Sequence, residues 1–187
     1  MQRLEAPRWG RIDQDIAGTA AGNWFLDGTM GYSGRSVEDY RWATAHVSAG
    51  FVPGKAFYSW SHLALAPHGV QPGTWIFSTG WWQDERGEPA QWMIDLRAGQ
   101  PAPSQLTAAS GMALYRLTRW FADVQRDPDA GNAPYPIGYG IVTGPLEGIV
   151  AVQVNPDGTL SVEIAPSVNG QPPTFSGFTE KKRIYRR

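Results

Sequence analysis

The sequence predicts an all-β chain: an up-and-down antiparallel β-barrel of about eight or nine strands, forming one domain over 1–187. A short N-terminal arm (1–15) and a long loop (122–146) are its irregular parts. Three observations predict this. Short segments of alternating large apolar and small or polar residues follow one another along the chain. The 22 glycines and 15 prolines fall between those segments, where they punctuate short elements. Strands joined by short turns pair most simply as a meander, and closing the meander hides its edges. Helix content below about one fifth is expected, less than an average globular domain carries.

The elements follow in order. Residues 16–26 read as the first strand, ended by the turn dipeptide Asp27-Gly28. Residues 27–40 are loop-like. The segment 41–96 holds all three histidines and six of the nine tryptophans, so it holds the best candidates for chemistry or binding. Strands at 41–51 and 56–66 flank the turn Val52-Pro53-Gly54-Lys55. A hairpin on this turn sets His46 opposite, or one step from, His62. Strands at 74–82 and 90–96 follow.

Residues 97–110 read as a loop. Residues 111–121 fit both a helical stripe and a strand, and the β-favouring Tyr, Thr, Trp and Phe select strand. The clearest hairpin is 147–154 with 159–165, across Asn155-Pro156-Asp157-Gly158. A last, basic strand covers 179–186, and its charge suits a solvated edge.

Charged residues are 18% of the chain and the net charge is −1, so there is no global electrostatic footprint for nucleic acid or an anionic membrane. Cysteine is absent, which excludes disulfides and thiolate chemistry. No apolar run approaches a membrane span, which takes roughly 20 residues. The polar N-terminus does not read as a signal peptide, so a cytoplasmic location is expected. No phosphate loop or Gly-x-Ser-x-Gly elbow occurs. The histidines show no His-x-His or His-x-x-x-His spacing, so neither a metal nor another cofactor is expected.

Gly22-Asn23-Trp24 on the first strand resembles the Gly-x-Trp signature of the lipocalin/calycin barrels. In that family an arginine near the chain end packs over the tryptophan, and Arg183 or Arg186 could take that part here. The family's late Thr-Asp-Tyr signature is missing. The resemblance implies a barrel that encloses a small apolar ligand, and related barrels include cofactor-free enzymes.

The candidate site is built on strand parity. Tyr58, Trp60, His62 and Ala64 share one face of their strand, and that face is expected to line the cavity with His46, Trp82 and Trp92. His62, His46 and Tyr58 are the catalytic candidates, because a histidine among aromatics is a tunable acid or base. Trp60, Trp82, Trp92, Trp24, Asp95 and Tyr115 are the ligand-binding candidates. The competing view is two strand histidines satisfied by backbone or solvent, and tryptophans that are plain core. Trp75, Phe77, Trp81, Phe57, Leu63 and Leu65 then fall on the opposite, outer face, a patch large enough to predict a homodimer or higher oligomer. The expected function is enclosure of a hydrophobic small organic molecule with cofactor-independent acid–base chemistry of isomerase, cyclase or lyase type. The alternatives are a non-catalytic carrier, or an interaction module using a tryptophan-rich face.

Overall fold

The computed structural model describes residues 14–28, 62–69, 71, 73–82, 88–125 and 138–187. Among these, eight strands occur: β1 (Gly22–Leu26), β2 (His62–Pro67), β3 (Trp75–Trp82), β4 (Glu88–Asp95), β5 (Ala113–Gln125), β6 (Gly138–Val154), β7 (Leu160–Pro166) and β8 (Arg183–Arg186). Each pairs antiparallel with the next, and β8 pairs back onto β1, so the sheet closes as an up-and-down barrel. The one helical element described is a 3-10 turn at Ala108–Ser110.

Local chemistry accounts for the ends of these strands. The β6–β7 hairpin has the expected turn. Gly158 sits at φ 81°, Asn155 N–H donates to Thr159 O at 2.8 Å, and the Asp157 carboxylate accepts from both Thr159 N–H and its hydroxyl. β1 begins later than expected, at Gly22. Before it, 16–21 turn back on themselves, and Ala20 and Ala21 N–H donate to Leu106 O and Pro103 O at 2.9 and 3.1 Å. These two segments lie at the end of the barrel where β1, β3, β5 and β7 begin. β8 begins at Arg183, because 179–182 form a turn instead. That turn is held by the buried Glu163 carboxylate, which accepts from Thr179 N–H at 2.7 Å and its hydroxyl at 2.8 Å.

Residues 122–125 and 138–146, expected as loop, are strand. β5 and β6 run on as one long ribbon with register shifts around Thr118. Pro145 falls in the shifted region, where a strand tolerates a missing N–H. Phe121 and Val142 face each other across the ribbon and are half exposed, so it shows no buried-face alternation. For 111–121 the strand reading is the one observed.

Register decides which side chains face inward. Trp24 lies opposite Leu63, and Leu63 opposite Thr79. Leu65, Phe77 and Trp92 form a second row. Tyr115 faces Val150, and Leu160 faces Tyr185. All are at most 4% exposed and form the core. The tryptophan-rich outer patch is therefore corrected. Leu63, Leu65, Trp75 and Phe77 are one face, as expected, but that face is the barrel interior. The argument for a homodimer through these residues falls with it. Phe57 lies outside the described residues, and so does the side chain of Trp81.

Candidate functional site

Apolar side chains fill the interior, and partly buried ones pack on it at both ends, Leu96 and Ala102 among them at the end where β1 begins. Near the 16–21 and 101–107 segments, Ala20, Ala21, Leu106, Leu65, Tyr115 and Val152 are fully buried. Tyr115 donates to Pro101 O at 2.9 Å, and burial pushes its phenol up. Toward the other end, Leu26, Ala90 and Ile164 pack on the core but are only half buried. Arg183 joins them. It lies opposite the interior residue Val162 and two positions before Tyr185, so it is on the inner face, and it too is half buried.

Tyr185 links the two regions. Its hydroxyl is hydrogen-bonded by the side chains of Thr79 and Arg183. β3 and β8 are separated around the wall by β1 and β2, so the Thr79–Tyr185 contact spans the interior. Burial pushes the Tyr185 phenol up; the Arg183 charge and the two hydrogen bonds oppose this. Thr79 is 2% exposed and Tyr185 4%, and in register they lie opposite the half-buried Ala90 and Leu26.

Glu147 adds a second polar group beside the interior. It falls in the β6 register shift, between Gly148 opposite Leu117 and Leu146 opposite Thr118. Its carboxylate accepts from Trp92 Nε1 at 2.7 Å and pairs with Arg119. Trp92 is thus inward, as expected, but it is committed: it stacks on Phe77 at 5.9 Å and its donor is satisfied.

The other expected site residues lie elsewhere. His62 is corrected to the outer face. Its strand neighbours are β1 and β3, and across β1 it faces Phe25 with ring centroids 5.6 Å apart. Its Nε2 lies 3.1 Å from Asn23 Oδ1. Desolvation holds its pKa below the usual imidazole value, and Asp15 pulls weakly the other way. Asp95 is also corrected to the outer surface, where it pairs with Arg97 at 2.9 Å and Arg116 at 3.3 Å. Trp24 and Tyr115 are inward and fully buried in the core. His46, Tyr58 and Trp60 lie outside the described residues. Trp82 ends β3 opposite Glu88, and its side chain lies outside them as well.

The arginine over Trp24 is Arg187, not Arg183 or Arg186. Its guanidinium lies 4.1 Å from the Trp24 ring. It donates to Ile16 O at 3.0 Å, Thr19 O at 3.2 Å and Ala21 O. Arg186 instead pairs with Asp27 at 2.5 Å on the surface.

Sequence reading did not group Thr79, Arg183 and Tyr185, and named Arg183 only as a candidate to cover Trp24. The signal was present: Arg183 and Tyr185 are two apart and must share a face, yet the segment reads as a solvated basic strand. Among the described residues, no three His, Cys, Asp or Glu side chains converge as a metal site, and no helix is long and apolar enough to cross a membrane. No family model, curated protein or solved structure matches the chain.

Proposed function

We propose that this barrel binds a hydrophobic small organic molecule at its half-exposed end, as a carrier or sequestering protein. The observation that supports the reading is the half-buried lining of Leu26, Ala90, Ile164 and Arg183, beside Thr79 and Tyr185, at the end of the barrel away from the 16–21 and 101–107 segments. Binding sites in barrel mouths combine an apolar lining with a few placed polar groups.

The acid–base reading is weaker than the carrier reading. Its base, His62, is on the outer face. Burial pushes the phenols of the inward Tyr115 and Tyr185 up, so both stay protonated near neutral pH and cannot accept a proton. A turnover mechanism would need a base from outside this constellation.

The test is to denature the purified protein, extract it with organic solvent and identify by mass spectrometry what it releases. The native protein is titrated in parallel with an apolar fluorescent dye. A near-stoichiometric hydrophobic molecule, or saturable dye binding at one site per chain, supports the reading. Absence of both overturns it.

A further inference from the structure

We propose that two copies of this chain associate through the outer edge of β5, in an antiparallel pairing centred on Phe121. The inference does not depend on ligand binding in the barrel. Beyond the register shifts at Thr118, β5 and β6 pair with each other as far as Gln125 with Gly138. Among the described residues, β4 pairs with β5 only at Arg116, Leu117 and Thr118, and β7 pairs with β6 only from Gly148 on. The ribbon therefore presents two strand edges with no strand beside them among the described residues, and such edges are templates for another chain. The two edges differ. That of β6 holds Gly138, Gly140, Gly144 and Pro145. Proline has no N–H to give and glycine pairs weakly, so this edge is blunted. From Ala113 to Gln125, β5 has neither residue.

One face of the ribbon is apolar and open. Phe121 is 50% exposed, and Val142, opposite it in register, 52%. Gly144 lies beside them: a Cβ there would stand 2.8 Å from Phe121 Cε2 and 3.3 Å from Arg119 Cβ. Arg119, Phe121, Val142 and Gly144 thus share that face. A second copy is the occupant this edge fits, because the edge complements itself. With Phe121 on a two-fold axis, antiparallel register sets 120 opposite 122 and 119 opposite 123. Arg119 of each copy then stands opposite Asp123 of the other, and opposite charges facing across strands are favourable. The Arg119 side chain is 55% exposed beside its pairing with Glu147, so it is open to a second carboxylate. The same register puts Val142 and Phe121 of one copy in a row with Phe121 and Val142 of the other. Centring on Trp120 or Ala122 instead sets Phe121 against a charged residue, Arg119 or Asp123. The contact is a strand of about five residues and two apolar side chains from each copy, smaller than a standard interface of about 1,600 Å². A dissociation constant on the order of 1–100 µM is expected.

The test begins with sedimentation velocity on the full chain from about 1 to 300 µM, a range that brackets the expected constant. It should show monomer passing into dimer. The sequence has no cysteine, so a single introduced thiol reports its own position. Phe121→Cys sets two thiols across the axis, at the Cα separation of about 5 Å between facing strand residues, within disulfide reach. Val142→Cys, on the same face but one strand further from the axis, sets them three strand spacings or about 14 Å apart, beyond reach. Under mild oxidant the first should cross-link at least about 10-fold faster than the second. Phe121→Lys sets like charges against each other on the axis and should keep the protein monomeric over the same range, with an unchanged circular dichroism spectrum. A monomer at every concentration overturns the proposal, and is the outcome expected if the edge serves a strand of another protein. A dimer whose two thiols cross-link at equal rates, or one that survives Phe121→Lys, overturns the assignment to this edge. The measurement on the unmodified protein stands even if a variant does not fold.

Discussion

The Arg187 guanidinium lies over the Trp24 indole, its Cζ 4.1 Å from the ring centre. Trp24 is 1% exposed, and its Nε1 donates to Ala20 O at 2.9 Å. The same guanidinium donates to the carbonyls of Ile16, Thr19 and Ala21. One side chain thus ties β8 to the turn before β1 and covers the buried indole from outside. A cation over an indole and hydrogen bonds to carbonyls both contribute, but part of the group is in water.

Removing this arginine should lower stability without changing the fold. Arg187→Ala is expected to cost about 1–2 kcal/mol, read as a lower urea midpoint at unchanged slope. Arg187→Lys should recover less than half, because an ammonium cannot reach three carbonyls from a planar fork. A variant with the original midpoint would show that the contact is incidental.

Gly22 should tolerate no side chain. Its φ is 130°, and a Cβ there would stand 2.7 Å from the Asp15 Cα and 2.9 Å from Arg187 Nη2. Asp15 is fixed in that place because its Oδ1 accepts Asn23 N–H at 2.6 Å. Gly22→Ala should cost at least about 2 kcal/mol, combining backbone strain with displacement of Asp15. Thermal melts compared with Gly99→Ala check this. Gly99 has a positive φ but open space around its Cβ position, so it reports the backbone part alone.

The inward face of β2 can be tested by a pair of neighbours. Leu65→Ala removes a fully buried side chain facing Phe77 and should cost about 2–5 kcal/mol. Ala64→Ser, one residue away on the outer face, should stay within about 0.5 kcal/mol. The opposite order of losses would restore the face that places His62 in the cavity.

His62 should matter to acid stability and not to ligand binding. Its pKa in the fold is lowered by desolvation, so the unfolded chain binds the proton more readily. Its contribution is therefore complete above the unfolded value of about 6.5, and it is lost as pH falls from there through the folded value. His68 is lowered by burial as well and acts in the same direction. His62→Gln should flatten part of the stability decline on acidification below that value. Dye affinity at pH 7.5 should stay within about twofold, as for a residue on the other side of the sheet. Chemical denaturation at a series of pH values, run beside the dye titration, checks both halves.

The sequence by itself determined the elements and their grouping. Alternation and turn chemistry located β3, β4, β6 and β7 to within a few residues, apart from the N-terminal extension of β6, because a pleated strand with one buried face repeats every two residues. Parity also grouped Leu63 with Leu65 and Trp75 with Phe77 correctly. Alternation carries no sign, however: it says which residues share a face, not which face is inside. The histidine on β2 suggested one choice, and the barrel made the other, since turning Leu63 and Leu65 inward buries more apolar surface than turning His62 and Ala64 inward. Closure itself was decided in three dimensions. Pairing of β1 with both β2 and β8 set His62 against Phe25, drew Thr79 and Tyr185 together from strands that are far apart in sequence, and turned Arg183 inward. The Gly-x-Trp tripeptide could be read from the chain, but which of three closely spaced arginines would cover its indole could not. That depended on where β8 ends against β1, and the register of Leu26 with Tyr185 places Arg187 there.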